Sequence, residues 1–519
     1  MKIKEVTING FEHKLICNNF EDNNNYYTVL VGKNSAGKTE CLIQVIGCLL
    51  RLQLKKNNSP YIDPLDEILE HEFKRYQESY EFETKLTFSE STNSKLEEMV
   101  KFKKSNSARI IKKFDGSEVT LNDGYFRHSL KTYPLLNKEI YLNIIAISES
   151  PYSKFPILNS EYKNSYSLFS PQLLKNKDTV TVYADDYVLP QTQRLVKSIF
   201  HSIACKTKVN LRALFELLKF ELKIKVSIDL KDRYAKHSEI GVLKFIDVKV
   251  VQKQAEGVLF EKTPAQLRKY WEYLSERFDL SSLQGKSYTE SHSSTSILLD
   301  IIGDYEGFEA LNSLIEYEVL SVNKIAFKNS HSGDYVDSTR LSSGQYCLLT
   351  LFFSIASKIS NGSLILLDEP EISLHPYWQA QIIPLLNSTF SNYINCHFIL
   401  ATHSPHIISN LSNINSSVVI FDSNDKSSHT VEGGKISSQS VDFQLAEVFE
   451  YPGFRNEYVN RELISYLVQV SKGREITDET YKTIRRIVEL ESKLDSSDPM
   501  LELIYAVKKT LKANLNEGC

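Results

Sequence analysis

The chain has 519 residues, of which 42% are hydrophobic and 24% charged, and its formal net charge is −4. These are the proportions of a globular protein, long enough for two or three domains with buried cores, which excludes wholesale disorder and a fibrous architecture. The slightly acidic balance supplies no overall basic field of the kind that commits a chain to nucleic acid.

Ile3, Val6 and Ile8 predict a first strand that ends at a turn at Asn9-Gly10, and His13 to Cys17 predict a second. Tyr26 to Val31 is an apolar run of strand length that stops at Gly32, and Glu40 to Leu54 reads as a helix with apolar residues on nearly all faces. Between Lys55 and Asn323 the pattern predicts helices over Tyr61 to Tyr76, Val196 to Leu222 and Pro264 to Phe278. Strands are predicted there over Tyr80 to Phe88, Ile140 to Ile147 and Thr179 to Tyr183. No heptad repeat is sustained in this stretch, which disfavours a long coiled-coil arm.

From Lys324 the pattern alternates: strand Lys324 to Phe327, helix Ser343 to Ser360, strand Leu364 to Leu367, helix Pro376 to Leu386, strand Phe398 to Ala401, helix Pro405 to Leu411. Alternation of this kind belongs to a mostly parallel sheet with crossover helices. A hairpin over Ser417 to Val431 and a polar helical tail from Ala446, broken at Pro452-Gly453 and at Ser496 to Pro499, complete the chain.

The seven cysteines are scattered, with no C-x-x-C pair and no Cys/His cluster at zinc spacing. MKIKEVTING lacks the apolar core of a signal peptide, and the longest apolar run, Cys347 to Ala356, is too short to cross a bilayer. The expectation is a reduced, cytoplasmic location without a membrane partner.

Gly32-Lys33-Asn34-Ser35-Ala36-Gly37-Lys38-Thr39 matches G-x-x-x-x-G-K-[ST] between a predicted strand and a predicted helix. Backbone N–H groups of such a loop converge on phosphates, Lys38 reaches their outer oxygens, and Thr39 offers a hydroxyl to Mg²⁺. Leu364 to Leu367 is an apolar strand ending in Asp368-Glu369, which places Asp368 at the sheet edge as a second Mg²⁺ ligand and Glu369 as the group that activates water. Leu341-Ser342-Ser343-Gly344-Gln345 opens a helix whose free N–H groups and hydroxyls suit an anion. His403, in Ala401-Thr402-His403-Ser404-Pro405 after a further apolar strand, is positioned to hydrogen-bond the γ-phosphate or the attacking water.

The order of these four segments resembles that of ABC-type ATPase heads, although Ser343 stands where the LSGGQ motif has glycine. The resemblance implies an α/β fold: an ABC-ATPase-type head with a P-loop and a mixed sheet with flanking helices, an inserted α+β domain and a helical C-terminal tail. It implies that ATP and Mg²⁺ bind, and that Ser342, Ser343, Gly344 and Gln345 complete the nucleotide site of a second copy, making a homodimer that could assemble further. Glu371 to Pro376 looks like the loop that communicates between the two sites, and the strand end at Ser148-Glu149-Ser150-Pro151 is a candidate for the family's glutamine loop. By the same analogy Phe11 and His13 are candidate neighbours of the base.

The L-L-D-E-P-E-I-S-L-H-P and A-T-H-S-P-H-I-I-S-N blocks resemble the OLD-like branch, and within it the PtuA-type ATPases of Septu and retron-linked anti-phage defence. That resemblance implies a separate HNH nuclease subunit, with a retron reverse transcriptase and its DNA product as further candidate partners. OLD relatives often append a Toprim nuclease, yet Val431-Glu432-Gly433 is followed by no D-x-D, so the expectation is no nuclease centre in this chain. The alternatives are a repair-type, SMC/OLD-like ATP-dependent DNA-binding ATPase without a nuclease partner, and a switch that binds ATP without hydrolysing it. Lys101, Lys103, Lys104, Lys112 and Lys113 are candidates for nucleic-acid contact, although charge runs usually face only water. The expected division is 1–90 and 324–435 for the two parts of the head, 91–323 for an insertion from which residues near 140–155 are a candidate to rejoin the head, and 436–519 for a helical docking region.

Overall fold

The computed structural model describes residues 2–8, 10–17, 21, 24–33, 36–56, 84–89, 97–103, 107–114, 117–121, 143–150, 155, 166–170, 191–204, 208–230, 239–255, 262–280, 283, 295–412, 414–422, 427–474 and 476–516. The expected helix Tyr61 to Tyr76 and strand Thr179 to Tyr183 lie outside the described residues, as do Asn34, Ser35 and Lys104.

A seven-stranded sheet organises the head. Its spatial order is Ser428–Glu432, Ser416–Phe421, Tyr26–Gly32, His397–Ala401, Leu364–Asp368, Ile144–Ser148 and Tyr166–Phe169, and every neighbouring pair is parallel except the first. Tyr26–Gly32, Leu364–Asp368, His397–Ala401 and Ile144–Ser148 are buried at every position, which explains why these segments read as continuous apolar runs rather than as alternations. Leu30 stands beside Ala401, Ala401 beside Asp368 and Asp368 beside Ser148, so the carboxyl ends of four strands form one edge.

One polar group inside this sheet sets its register against the first strand. The His397 Nδ1 accepts the Ile3 N–H at 3.2 Å, so the hydrogen sits on Nε2, which donates to Thr28 Oγ1 at 2.9 Å; Thr28 in turn donates to the Leu15 carbonyl at 2.8 Å. Burial, with the Lys2 and N-terminal charges adding to it, drives the His397 pKa down to about 3, so the imidazole is neutral.

A six-stranded antiparallel sheet, ordered Phe11–Lys14, Lys2–Ile8, Thr84–Ser89, Glu97–Lys103, Ser107–Phe114 and Ser117–Leu121, lies beside the helix Lys38–Lys56. Ile3, Val6 and Ile8 share a core with Leu42, Val45, Ile46 and Leu49 of that helix. Within the basic run, Lys112 stands opposite Glu98 and Lys113 opposite Glu97, whereas Lys101 stands opposite Arg109. A four-stranded antiparallel sheet follows, ordered Thr295–Asp300, Phe220–Leu230, Leu320–Asn329 and Tyr335–Asp337.

That last sheet corrects two expectations. The stretch Val196 to Leu222 is two helices, Gln191–Ala204 and Arg212–Leu218, followed by a strand. Lys219 ends the second helix in the left-handed conformation (φ 60°), and Ile224, Val226 and Ile228 then alternate inward as a strand demands. Lys324 to Phe327 belongs to this antiparallel sheet and not to the parallel one. The Ser417 to Val431 hairpin is present as Ser416–Phe421 against Ser428–Glu432. Glu432 closes its second strand.

The helices and strands of the inserted region do not stand apart. Trp271, Phe308 and Phe327 belong to the same buried cluster as Val29, Ile145 and Leu367 of the central sheet and Phe353 of the helix Ser343–Ala356. The last segment is built differently: helices Glu457–Ser471, Asp478–Glu489 and Met500–Asn516 enclose a core of their own around Leu463, Tyr466, Ile484, Ile487 and Ile504. Among the described residues no helix is long and apolar enough to cross a membrane.

Candidate functional site

The phosphate loop is the turn between the strand Tyr26–Gly32 and the helix Lys38–Lys56. Gly32 has φ +149°, and a Cβ there would stand 2.8 Å from the Phe421 carbonyl oxygen on the neighbouring strand, so no side chain fits. Gly37 (φ +98°) reverses the chain into the helix, and Ala36 is buried with its N–H bonded to the Lys33 carbonyl at 3.2 Å. Lys38 is 5% exposed, and its ammonium donates to the Gly32 and Lys33 carbonyls at 2.8 and 3.0 Å. Burial lowers its pKa to about 8, against the opposing pull of Glu369, Glu371 and Asp368. The acid strand that carries these carboxylates lies two places from the loop strand, with His397–Ala401 between them.

Thr39 Oγ1 donates to Asp368 Oδ1 at 2.9 Å, which brings the two expected Mg²⁺ ligands together. Both are hard oxygen donors, as Mg²⁺ prefers. No group of three or more His, Cys, Asp and Glu among the described residues could hold a metal. Two protein oxygens are the share that Mg²⁺ usually takes from a protein when phosphate oxygens and water supply the rest of its octahedron.

Glu369 follows Asp368 with φ +51°, a left-handed conformation that a side-chain-bearing residue adopts at a cost of about 1–2 kcal/mol. Its N–H is bonded to the Ala401 carbonyl at 2.9 Å, so the neighbouring strand holds the turn and the carboxylate projects from the sheet edge. His403 Nε2 lies 4.0 Å from Glu369 Oε1, beyond hydrogen-bond range. Burial, reinforced by the Lys38 charge, lowers the His403 pKa to about 4, so the ring is neutral near pH 7. A neutral imidazole has one donor and one acceptor nitrogen, and its neighbour is a half-exposed carboxylate. Such a pair can align a water molecule without an ion pair between them.

The strand Ile144–Ser148 also reaches this edge, with Ser148 beside Asp368, so the segment considered as a glutamine loop begins next to the acid strand. Of the two residues considered as base neighbours, Phe11 is partly exposed, whereas His13 is buried, stacked 4.9 Å from Phe421 and bonded to Ser428 Oγ at 2.8 Å.

Ser342 to Gln345 are arranged otherwise. Ser342 is the N-cap of Ser343–Ala356 and forms a reciprocal box with Gln345: Ser342 Oγ accepts the Gln345 N–H at 3.2 Å, and the Ser342 N–H donates to Gln345 Oε1 at 3.0 Å. Ser342 and Ser343 are exposed. Gly344 is buried, and a Cβ on it would meet Trp378 at 2.8 Å and the Ser373 carbonyl at 3.1 Å. Ser343 therefore occupies a position with room for a side chain, and the glycine that packing requires is retained. Among the described residues, the side-chain hydrogen bonds of Ser342 and Gln345 run to one another and to the Leu218 carbonyl.

Two contacts escaped sequence reasoning, one of them made by Glu371 of the expected communicating loop. Glu371 Oε1 accepts the His403 N–H at 2.7 Å, a contact from the acid turn to the histidine turn that no motif spacing reveals. Glu450, also in a left-handed conformation (φ +50°), pairs with Lys33 of the phosphate loop at 2.7 Å and with Lys493 at 2.9 Å. The charge pattern of the tail carried no signal for that bridge.

A phosphate loop, an acid strand and a histidine strand on adjacent parallel strands are the layout of a P-loop ATPase. Residues 1–408 match AAA_15, the AAA ATPase domain family, and the chain belongs to that family. It is 35% identical over 79 residues to the Retron Ec83 probable ATPase of Escherichia coli, a match covering 13% of this chain and 14% of that one. It is 36% identical over 88 residues to the Retron Vc95 probable ATPase of Vibrio cholerae serotype O1 biovar El Tor, covering 15% and 16%. The chain thus aligns with less than a fifth of either relative's length. Similar solved structures include an Smc head bound to the C-winged helix domain of ScpA (TM-score 0.33, 10% identity, 83% of this chain and 97% of that one). The SMC head domain from Thermotoga maritima is another (TM-score 0.31, 12% identity, 83% and 99%).

Proposed function

We propose that two copies of this ATPase enclose Mg²⁺·ATP in composite sites and that closure regulates a separate HNH nuclease in anti-phage defence, in the cytoplasm. The observation that carries the composite site is the division just described. One chain gathers the loop, Asp368, Glu369 and His403 at one sheet edge, while its exposed Ser342 helix start makes its hydrogen bonds elsewhere. In this reading Gly32 to Thr39 cradle the phosphates, Thr39 and Asp368 hold Mg²⁺, and the partner's copy of the Ser342 to Gln345 segment offers its hydroxyls and helix N-terminus to the γ-phosphate. When bound there, Mg²⁺ would supply positive charge to the phosphates. Lys38 gives up the loop carbonyls for phosphate oxygens, Glu369 takes a proton from the attacking water, and neutral His403 orients that water or the γ-phosphate. The strand end at Ser148-Glu149 serves as the glutamine loop.

Residues 1–90 and 324–435 form the head in this reading, joined by the strand Ile144–Ser148 from within 91–323; the rest of 91–323 couples the head to partners, and 436–519 dock the nuclease. The separate core of the tail and its Glu450 contact with Lys33 support that assignment. The defence role is supported by the short similarity to retron probable ATPases and by the order of the sequence blocks. Ser342→Arg tests the composite site: each copy should bind ATP normally while ATP-dependent dimerisation, followed by light scattering, is lost. Dimerisation equal to wild type would refute it. Co-purification with a small HNH protein from cells carrying the neighbouring genes tests the partner. A second reading, a DNA-binding repair ATPase, draws on the lysines of the sequence at Lys101, Lys103, Lys104, Lys112 and Lys113. ATP-dependent DNA retention by the isolated chain would favour that reading.

A further inference from the structure

Glu371 lies two residues beyond Glu369, in the turn that sequence resemblance assigns to communication between copies, yet its carboxyl group points back into its own head. Oε1 accepts the His403 N–H at 2.7 Å. Thr402 is wholly buried and takes the Ser404 N–H on its hydroxyl oxygen at 2.9 Å. Gln379 closes the far side: its Oε1 accepts the Ser404 hydroxyl at 2.6 Å, and its Nε2 donates to the Leu374 carbonyl at 2.9 Å. Two turns from different strands are thereby bolted together through three side chains.

The other carboxyl oxygen, Oε2, is buried without a hydrogen-bond partner. An ionised carboxylate left half unpaired in a buried position is costly, more so beside the Glu369 charge. Burial first, and Glu369 after it, raise the Glu371 pKa against the hydrogen bond from the His403 N–H.

We propose that Glu371 is a positioning residue: by gripping the His403 peptide N–H it locks the histidine turn to the acid turn and holds the imidazole at its working distance from Glu369. The clamp needs one acceptor oxygen within reach of that N–H, which a carboxylate and an amide of the same length both supply. This inference rests on the reading of Glu369 and His403 as the pair that acts on water.

The test compares Glu371→Gln, Glu371→Asp and Glu371→Ala in the full chain, measuring kcat, KM for ATP and ATP affinity at saturating Mg²⁺. Gln preserves reach and removes charge; Asp preserves charge and shortens the reach by one methylene. The expected order of kcat is Gln above Asp above Ala. Gln should stay within about threefold of wild type and Asp fall roughly tenfold, while Ala falls toward a hundredfold, the loss that a misplacement of about 1 Å can cause. ATP affinity and KM should stay within about threefold throughout, since no phosphate contact is removed. Asp outperforming Gln would overturn the proposal, as would wild-type kcat in Asp; neither variant depends on Ala folding. Glu369→Gln, run beside them, keeps the two ideas apart: wild-type turnover in that variant would sink the reading of the catalytic pair itself, whatever the Glu371 series shows.

Discussion

The two halves of the candidate site are built by different means. The loop half consists of strand ends: Gly32, Asp368 and Ala401 end three adjacent parallel strands whose register is fixed by buried apolar residues on both faces, so sheet formation alone delivers Lys38, Asp368, Glu369 and His403 to one place. The helix-start half, Ser342 to Gln345, is positioned by a cap and by one close approach, Gly344 against Trp378. Damage to the first half should therefore act on chemistry within one copy, and damage to the second on what passes between copies.

The largest effects belong to the first half. Lys38→Ala should abolish tight ATP binding, seen as loss of saturable binding of a fluorescent analogue. Glu369→Gln should leave binding intact and lower kcat by about a hundredfold to ten-thousandfold, the usual span for a positioned acid or base. Equal turnover by Glu369→Gln and wild type would remove Glu369 from catalysis. Gly344→Ala should behave oppositely: its added methyl has to displace Trp378 or the Ser373 turn, costing about 1–3 kcal/mol of stability in a thermal melt. ATP binding to each copy should survive, and ATP-dependent dimerisation should weaken. A Gly344→Ala variant that dimerises normally would blur the division between the halves.

Lys38 sharpens the comparison by pH. Burial lowers its pKa to about 8, and the charges of a bound triphosphate raise it again, so above that pH binding must take up a proton. ATP affinity should be flat below pH ~8 and fall about tenfold per pH unit above it, with matching proton uptake by calorimetry. The Ser342 half titrates nothing in this range, so dimerisation measured with saturating ATP should not follow the same curve.

How much of this was legible in the sequence follows from the same distinction. Buried parallel strands announce themselves as apolar runs, and their termini carry the loop, the acids and the histidine, so those residues could be named in advance. The strand Phe220–Leu230 could not, because FELKIKVSIDL follows a helix without a glycine or proline to mark the break, and Lys219 supplies the left-handed turn instead. The contacts of Glu371 and Glu450 were hidden for another reason. Each reaches a residue 32 or more positions away, His403 for Glu371 and Lys33 for Glu450, and a side-chain contact across such a distance leaves no periodic trace.

Glu450 gives the smallest expected effect. Burial alone would raise its pKa, but Lys33 and Lys493 hold the carboxyl below the ordinary range. The three side chains nevertheless remain substantially exposed, so each pair is worth at most about 1 kcal/mol. Glu450→Gln should therefore lower stability by less than about 1 kcal/mol and leave ATP affinity within about threefold, both effects fading in high salt. What it should change is communication. Lys33 belongs to the loop and Lys493 follows directly on the helix Asp478–Glu489, so the carboxylate is a mechanical link between nucleotide and tail that contributes little to either alone. Hydrogen exchange in Glu457–Ser471 and Met500–Asn516 should respond to ATP in wild type and respond less in the variant. An unchanged response would place the coupling elsewhere, in the core that joins residues 191–329 to the central sheet.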